Sequence, residues 1–201
     1  MSDLAAQIDA VVFDMDGVLV DTEPVHLALA RALVAPAELA LADYEQFIGT
    51  HGFGEWLALN YDLSREEIRV RSSELFFEHM ATQRVDPMPG AVALIEAIKS
   101  RGLKLAVVTM TQPDWTAATL RTSGLAPLFE VVITSADVEH GKPAPDLYLH
   151  AARELGVEPG ACLAVEDSVH GIASASSAGM HVVQLRQATF VPEPQDRKSV
   201  V

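Results

Sequence analysis

The sequence predicts an α/β protein in which a parallel sheet is flanked by helices and a small helical domain is inserted after the first strand. Three observations carry this prediction. Strand and helix patterns alternate from residue 91 to residue 185, which is typical of a parallel sheet with right-handed crossovers. A run of packed β-branched and aromatic residues at 11–13 predicts a buried first strand. Between these two parts, residues 23–84 show helical spacing without a strand pattern.

The inserted segment predicts four helices. The first ends before Pro36, which cannot continue a helix. Two short helices follow at 43–48 and 53–61. The fourth opens at a capping box formed by Ser64 and Glu67. Together these helices predict a small all-helical domain.

Residues 86–90 contain two prolines and a glycine and indicate a linker that leads back to the sheet. We therefore expect a core domain built from 1–20 and 87–201, and a helical domain at 21–86. After the linker, the predicted helices are 91–100, 113–123, 146–155 and 170–178. The predicted strands are 103–109, 130–134, 162–165 and 181–185.

Composition limits the classes of function. With 201 residues, of which 49% are hydrophobic, the chain has room for one core and a small accessory domain. Its formal charge is −14 and it has no cluster of Lys or Arg, so we expect no nucleic-acid partner. The same acidity gives no general attraction for an anionic ligand. A phosphate site must therefore be built locally, from a metal, a lysine and backbone N–H groups.

Features that report on the cellular compartment point to the cytoplasm. Cys162 is the only cysteine, so no internal disulfide can form, and its apolar surroundings predict a buried small side chain. The N-terminus shows no signal-peptide pattern. The apolar runs are far shorter than the ~20 residues that span a bilayer. We therefore expect a cytoplasmic protein with no membrane partner.

Four polar signals stand at strand ends or in a loop that precedes a helix. They are Asp14 with Asp16 after the first strand, Thr109 after the second, Lys142 in the loop before helix 146–155, and Glu166 with Asp167 after the strand at 162–165. Open α/β sheets bind ligands at the carboxyl ends of their strands. Burying paired carboxylates is costly unless a cation joins them. The pattern indicates a divalent metal and a phosphate.

Taken together, these motifs resemble those of the haloacid dehalogenase superfamily of Mg-dependent phosphotransferases. The resemblance is to the branch with a helical cap after the first strand, which includes sugar-phosphate phosphatases and β-phosphoglucomutase. It spans residue 11 to about residue 185 and implies a three-layer, Rossmann-like core, a helical cap and a monomer. The motifs are Asp14-x-Asp16-Gly17-x-x-x-Asp21-Thr22-Glu23-Pro24-x-His26, Lys142-Pro143-x-Pro145-Asp146 and Glu166-Asp167-Ser168.

The resemblance implies a role for each motif residue. Asp14 is the expected nucleophile, which becomes an aspartyl phosphate, and Asp16 is the general acid and base. Lys142 supplies a point charge for phosphate and nucleophile. Thr109 and Met110 are expected to bind phosphate. Met110 departs from the usual Ser or Asn, but the role belongs to its backbone N–H.

Mg²⁺ is the implied cofactor, since it prefers oxygen ligands and neutralises charge between carboxylate and phosphate. The implied ligands are Asp14, the backbone carbonyl of Asp16 and Asp167. Glu166 either binds the metal directly or supports a neighbouring group. Asp146 is predicted to act as the N-cap of the helix that follows it.

Three cap residues are candidates for substrate binding: His26, Thr50 and His51. The glycine-rich stretch 49–54 resembles in position the specificity loop of related caps. His26 could hydrogen-bond into the active loop or pack on the cap. Phe53 and Trp56 are expected to form the core of the cap.

The first functional hypothesis is a Mg-dependent phosphatase that hydrolyses a small phosphorylated metabolite, a sugar phosphate, through an aspartyl-phosphate intermediate. The alternative is a mutase similar to β-phosphoglucomutase. A mutase usually needs cationic cap residues that grip a second phosphate, and residues 50–54 contain no Lys or Arg. A third hypothesis, an inactive phosphate-binding module, is disfavoured because Asp14, Asp16, Lys142 and Asp167 are all present.

Overall fold

The computed structural model describes residues 7–47 and 52–185. Within these ranges, five strands form one parallel sheet in the order β3-β2-β1-β4-β5. The strands are β1 (Ala10–Asp14), β2 (Lys104–Val108), β3 (Val131–Ile133), β4 (Cys162–Glu166) and β5 (His181–Gln184). The central strand β1 is buried along its whole length and pairs with both β2 and β4. The predicted parallel sheet is confirmed.

The described part of the chain contains eight α-helices. They are α1 (Glu23–Val34), α2 (Leu41–Glu45), α3 (Phe53–Asn60), α4 (Arg65–Thr82), α5 (Ala91–Ser100), α6 (Pro113–Thr122), α7 (Asp146–Leu155) and α8 (Val169–Ser177). None of these helices combines the length and the apolar character that crossing a bilayer requires.

Most predicted element bounds agree with the structure to within about one residue, because caps and breakers mark them. The exception is the helix predicted at 43–48. It begins two residues earlier, at Leu41, and ends at Glu45, while Ile48 and Gly49 lie outside the described residues. Leu41 and Ala42 are good helix formers, which accounts for the earlier start.

Two hydrophobic clusters lie on opposite faces of the sheet. Val11 and Phe13 of β1 face one cluster, together with residues of α5 and α6. Val12 of β1 and Ala106 of β2 face the other, together with residues of α7 and α8. This alternation follows from the two-residue period of a strand. The core therefore has three layers, as predicted.

Helices α1–α4 form the cap, which is inserted between β1 and α5. The cap has its own cluster of buried side chains: Leu27, Ala30, Leu33, Val34, Leu39, Tyr44 and Leu57. One cap helix, α4, also packs against the core helix α6, where Phe76 and Met80 join the core cluster. Val20 and Pro87 form an isolated antiparallel bridge where the chain leaves and re-enters the core. The boundaries at 20/21 and 86/87 stay a prediction.

The order of the strands determines where a ligand can enter. From β1 the chain moves to β2 on one side, whereas from β4 it moves to β5 on the other. The two connections diverge and leave a crevice at the carboxyl ends of β1 and β4. Asp14 ends β1 and Glu166 ends β4, so both carboxylates lie at this crevice.

Candidate active site

Charged side chains from three segments of the chain meet at the crevice between β1 and β4. Lys142, in the loop before α7, donates hydrogen bonds from Nζ to Asp14 Oδ1 and to Glu166 Oε1, the latter at 2.5 Å. The side chain of Lys142 is only 6% exposed and that of Glu166 is fully buried. Asp14 and Lys142, which are 128 positions apart in the sequence, are thus in direct contact.

Glu166 is the most densely hydrogen-bonded group of the site. Besides Lys142, its Oε1 accepts from the hydroxyl of Tyr148 at 2.8 Å. Its Oε2 accepts from the hydroxyl of Ser168 at 3.0 Å and from the backbone N–H groups of Asp167 and Ser168 at 3.1 Å. A buried charge is tolerated only when it is paired and hydrogen-bonded. The contacts of Glu166 supply both the ion pair and the hydrogen bonds.

Gly171 makes room for the Glu166 carboxylate. A Cβ atom at this position of α8 would lie 1.7 Å from Oε1 and 1.9 Å from Cδ of Glu166. Any other residue at position 171 would therefore overlap the carboxylate. Glu166 could not move aside without breaking the hydrogen bonds that hold it.

The site carries an excess of negative charge. Asp14, Glu166 and Asp167 each offer a carboxylate oxygen, and these oxygens lie within 4.8 Å of one another. Burial raises the pKa of Asp14 well above its usual value, and the carboxylates of Glu166 and Asp16 act in the same direction against the opposing charge of Lys142. Burial and Glu166 raise the pKa of Asp167 to about 6. Hard oxygen donors with too little positive charge nearby fit a divalent cation such as Mg²⁺.

Burial disfavours the charged form of Lys142, but Asp14 and Glu166 outweigh this effect and raise its pKa above the usual value. The ammonium group is therefore charged at neutral pH. A fixed positive charge beside Asp14 is suited to attracting the oxygens of a phosphate group.

Three threonine hydroxyls hold the carboxylate of Asp16. Thr22 donates to Oδ1 at 2.8 Å, while Thr109 and Thr111 donate to Oδ2 at 3.1 Å and 2.9 Å. The Asp16 carboxylate is not part of the cluster of oxygens from Asp14, Glu166 and Asp167. The predicted metal contact of Asp16 is its backbone carbonyl, and that contact stays a prediction.

The two predicted phosphate-binding residues differ in their surroundings. Thr109 is buried directly after β2, and its hydroxyl also accepts from the backbone N–H of Thr111 at 3.0 Å. Met110 is exposed, and its side chain lies over Gly141, where an added Cβ would come within 2.3 Å of Met110 Cε. Binding of phosphate by either residue stays a prediction.

Of the predicted cap residues, Thr50 and His51 lie outside the described residues. His26 stacks on Trp115 of α6, with ring centroids 6.3 Å apart. Trp115 in turn stacks face to face on Phe76 of α4 at 3.9 Å. His26 therefore packs at the junction of cap and core. Phe53 lies against the cap cluster, as expected.

A cavity of about 340 Å³ opens between the cap helices and Trp115. Its walls are mostly apolar and aromatic. Among the described residues that line this cavity, Glu23 is the only Asp, Glu, Lys or Arg. Glu23 accepts a hydrogen bond from the hydroxyl of Tyr44 at 2.7 Å. The cavity therefore presents a negative charge to any occupant.

The prediction that Asp146 caps α7 is wrong. Pro145 occupies the N-cap position and Asp146 is the first residue of the helix. Pro145 has a φ of −76° and a ψ of −4°, a conformation that leads directly into the helix. The carboxylate of Asp146 lies in the first turn, where its negative charge interacts favourably with the helix dipole. It contacts Nδ1 of His140 at 3.2 Å.

The sequence analysis gave no role to four residues that shape the site: Thr22, which stands in the first motif, and Thr111, Tyr148 and Gly171. Only Gly171 carried a usable local signal, because glycine inside a helix costs about 1 kcal/mol relative to alanine and so suggests a packing reason. The other three become relevant only when the fold brings them to Asp16 or Glu166.

Comparison with known proteins agrees with this geometry. The family model described as haloacid dehalogenase-like hydrolase matches residues 8–179. Fructose-1-phosphate phosphatase YqaB of Escherichia coli is 33% identical over 185 residues, covering 88% of this chain and 95% of the relative. The phosphorylated carbohydrates phosphatase of Thermotoga maritima is 32% identical over 181 residues, covering 86% of this chain and 82% of the relative.

A solved structure extends the agreement to the fold. The crystal structure of CbbY from Rhodobacter sphaeroides in complex with phosphate superposes with a TM-score of 0.77 at 28% identity. The match covers 94% of this chain and 90% of that one. The sheet, the acidic crevice and these matches together show that the chain belongs to the haloacid dehalogenase-like hydrolase family.

Proposed function

We propose that this protein hydrolyses the phosphate monoester of a small carbohydrate through an aspartyl-phosphate intermediate, with Mg²⁺ as its cofactor. Its family and its phosphatase relatives make it a phosphoric monoester hydrolase. The observation that carries the proposed mechanism is the contact of Lys142 with both Asp14 and Glu166 at the crevice. This contact places a charged ammonium group beside a candidate nucleophile.

In the first step, a carboxylate oxygen of Asp14 attacks phosphorus in line with the leaving oxygen. A bond forms between Asp14 and phosphorus as the ester P–O bond breaks. Asp16 in its protonated form gives its proton to the departing alcohol oxygen. Lys142 stabilises the negative charge on the phosphoryl oxygens. The products of this step are the free alcohol and phosphorylated Asp14.

In the second step, water hydrolyses the acyl phosphate. Asp16, now ionised, takes a proton from the water as the water oxygen attacks phosphorus. The bond between Asp14 and phosphorus breaks, and inorganic phosphate leaves. Asp14 is again a carboxylate and Asp16 is again protonated, so the cycle closes.

Asp14, Asp167 and the backbone carbonyl of Asp16 would hold the Mg²⁺ ion. When bound, the ion neutralises charge between the nucleophile and the phosphate. We assign Glu166 to the support of Lys142, because both of its oxygens already accept hydrogen bonds. The hydroxyl of Thr109 and the backbone N–H of Met110 complete the proposed phosphate site.

The cap favours hydrolysis over a mutase reaction. A mutase holds a second phosphate, and such a group in the cap cavity would meet the carboxylate of Glu23. Residues 48–51 lie in the sequence between Phe47 and Phe53, which line the cavity, and they also include no Lys or Arg. We propose that His26, Thr50 and His51 contact the alcohol part of the substrate, which carries no second phosphate.

Phosphate release from a panel of phosphorylated carbohydrates, measured with Mg²⁺, tests the proposed function. We expect turnover of sugar monophosphates, and Asp14→Asn should reduce it by a factor of about 10³ or more, because the amide is not a nucleophile. Retained turnover in Asp14→Asn would contradict the assignment of the nucleophile. In a single turnover of phosphorylated Asp14 with β-glucose 1-phosphate as acceptor, a sugar bisphosphate as the main product would instead support the mutase.

A further inference from the structure

We infer that Thr111 is a positioning residue that holds Asp16 in place for proton transfer to the leaving group. The inference rests on the proposed function, in which Asp16 is the general acid. The Thr111 hydroxyl donates to Asp16 Oδ2 at 2.9 Å, a shorter hydrogen bond than the 3.1 Å contact from Thr109 to the same oxygen. Thr22 holds the other oxygen of the carboxylate.

Contacts to both oxygens fix the orientation of the carboxylate. Thr22 precedes α1 at the start of the cap, whereas Thr109 and Thr111 follow β2 in the core. The hydroxyls therefore approach Asp16 from two separate segments of the chain. A carboxyl group held in this way cannot rotate about its side-chain bonds without losing at least one hydrogen bond.

Thr111 is itself held firmly by its backbone. Its N–H donates to the hydroxyl of Thr109 at 3.0 Å. Its carbonyl accepts from the hydroxyls of Thr116 and Ser135, each at 3.4 Å. The 3.0 Å bond and the two longer contacts restrict the backbone of residue 111, from which the hydroxyl reaches Asp16.

Hydroxyl groups suit a carboxyl group that must exchange a proton. A threonine hydroxyl can donate to a carboxylate and can accept from a carboxylic acid. A lysine or arginine in the same place would only donate and would favour the ionised form. In this site the buried ammonium group of Lys142 contacts Asp14 and Glu166, while hydroxyls contact Asp16. Asp16 is therefore held by neutral groups, which favour its ionised form less than a cation would.

The test compares two aryl phosphates of similar shape with the Mg²⁺-loaded protein. p-Nitrophenyl phosphate has an acidic leaving group that needs little protonation, whereas phenyl phosphate has a more basic one. We expect Thr111→Val, which keeps the shape and removes the hydroxyl, to lower kcat/KM for phenyl phosphate by about 10- to 100-fold. The loss for p-nitrophenyl phosphate should be several-fold smaller, since kcat/KM reports the step that forms phosphorylated Asp14.

Two variants serve as controls. Thr111→Ser keeps the hydroxyl and should restore the ratio of the two kcat/KM values to that of the wild type. Thr122→Val removes a hydroxyl in α6 that bonds only to the backbone and to Met80, and it should leave the ratio unchanged. An equal loss on both substrates in Thr111→Val, or no loss on either, would overturn the inference. A wild-type protein that releases phosphate neither from these two esters nor from the sugar monophosphates would instead contradict the proposed function.

Discussion

Glu166 carries its carboxylate into the interior at the end of β4, where it has no access to solvent. Removing one partner of such a buried ion pair typically costs about 3–5 kcal/mol, because it leaves an uncompensated charge. The local structure therefore depends on the contacts of Glu166 with Lys142, Tyr148 and Ser168. The position of Lys142 beside Asp14 depends on this network.

Gly171→Ala tests the network by steric means. The new Cβ would overlap the Glu166 carboxylate, and overpacking of this kind costs about 1–3 kcal/mol. Because the overlap is severe, with Cβ at 1.7 Å from Oε1, we expect a cost in the upper part of this range. That cost exceeds the gain of about 1 kcal/mol from replacing a helical glycine by alanine. We expect lower stability in urea unfolding together with a lower kcat.

Gly160→Ala is the matched control, because a Cβ at position 160 meets nothing within 4 Å. It should leave both stability and kcat close to their wild-type values. Wild-type behaviour of Gly171→Ala would mean that Glu166 can shift without consequence, and it would remove the support that we assign to this residue.

The thiol of Cys162 should be inert in the folded protein. It is fully buried at the start of β4, and burial, with a smaller contribution from Asp9, raises its pKa to about 11. The thiolate is the reactive form, so we expect no labelling by a disulfide reagent at pH 8 in native buffer. The same protein in urea should react with one equivalent. Rapid labelling of the native protein would contradict the burial.

The sequence revealed those site residues whose position at a strand end is visible locally. Asp14, Glu166 and Asp167 follow apolar runs that read as strands. Thr111 and Tyr148 could not be found in this way. Their importance comes from contacts with Asp16 and Glu166 that only the folded chain creates.

At the scale of secondary-structure elements, the presence of an N-capping side chain determined which helix starts could be predicted. Helix α4 begins with a complete capping box, in which Ser64 and Glu67 bond to each other's backbone N–H. Its start was accordingly predicted to the residue. Helix α2 begins after Ala40, whose side chain cannot cap a helix. No local signal marked its first residue, and the predicted start was two residues late.

Ser64→Ala should destabilise the protein by about 1 kcal/mol, the typical cost of losing an N-cap hydroxyl. The Ser64 hydroxyl accepts from the backbone N–H of Glu67 at 3.1 Å, and alanine cannot replace this contact. Urea unfolding measures the loss. Ser64→Thr keeps the hydroxyl and should retain most of the stability. An alanine variant as stable as the wild type would show that the first turn of α4 contributes little to folding.

At the scale of the whole molecule, the acidic crevice leads us to expect that stability depends on divalent cations. A ligand that binds only the folded state stabilises it by about 2.7 kcal/mol when present at 100 times its Kd. We expect Mg²⁺ to raise the Tm of the wild type in a concentration-dependent manner and EDTA to reverse the effect. Asp167→Asn should reduce the shift, since it removes one of the clustered carboxylates. A Tm independent of Mg²⁺ would contradict the proposed metal site.

The response to Mg²⁺ should also depend on pH. Burial and Glu166 raise the pKa of Asp167 to about 6, so the metal-free folded protein keeps a proton that the unfolded chain releases near pH 4. The stability from this proton is present below about pH 4 and is lost as the pH rises through about 6. Metal binding needs the ionised carboxylate.

The Mg²⁺-induced shift in Tm should therefore be small at pH 5 and should grow towards pH 7.5. Asp14, whose pKa is raised in the same direction, adds to the trend. Thermal unfolding at several pH values, with and without Mg²⁺, measures the difference. A shift of equal size at pH 5 and pH 7.5 would contradict the raised pKa of Asp167.

Three predictions about the whole molecule stay predictions: the domain boundaries at 20/21 and 86/87, the monomeric state and the cytoplasmic location. The overall architecture was predictable because alternating strand and helix patterns follow directly from burial on two faces of a sheet. The order of the strands was not predicted from the sequence, since local patterns do not state which strands become neighbours. The crevice between β1 and β4 emerges only from that order.

The central place of β1 has a consequence for how the chain is made. Ala10 pairs with Lys104 on one side and with Cys162 on the other. Roughly 90 residues separate Ala10 from the nearer partner, and ribosomes add about 5–20 residues per second. The nascent strand therefore waits on the order of 5–20 s for its first neighbour, while the cap helices emerge. We expect the cap helices to collapse on their own buried cluster during this interval.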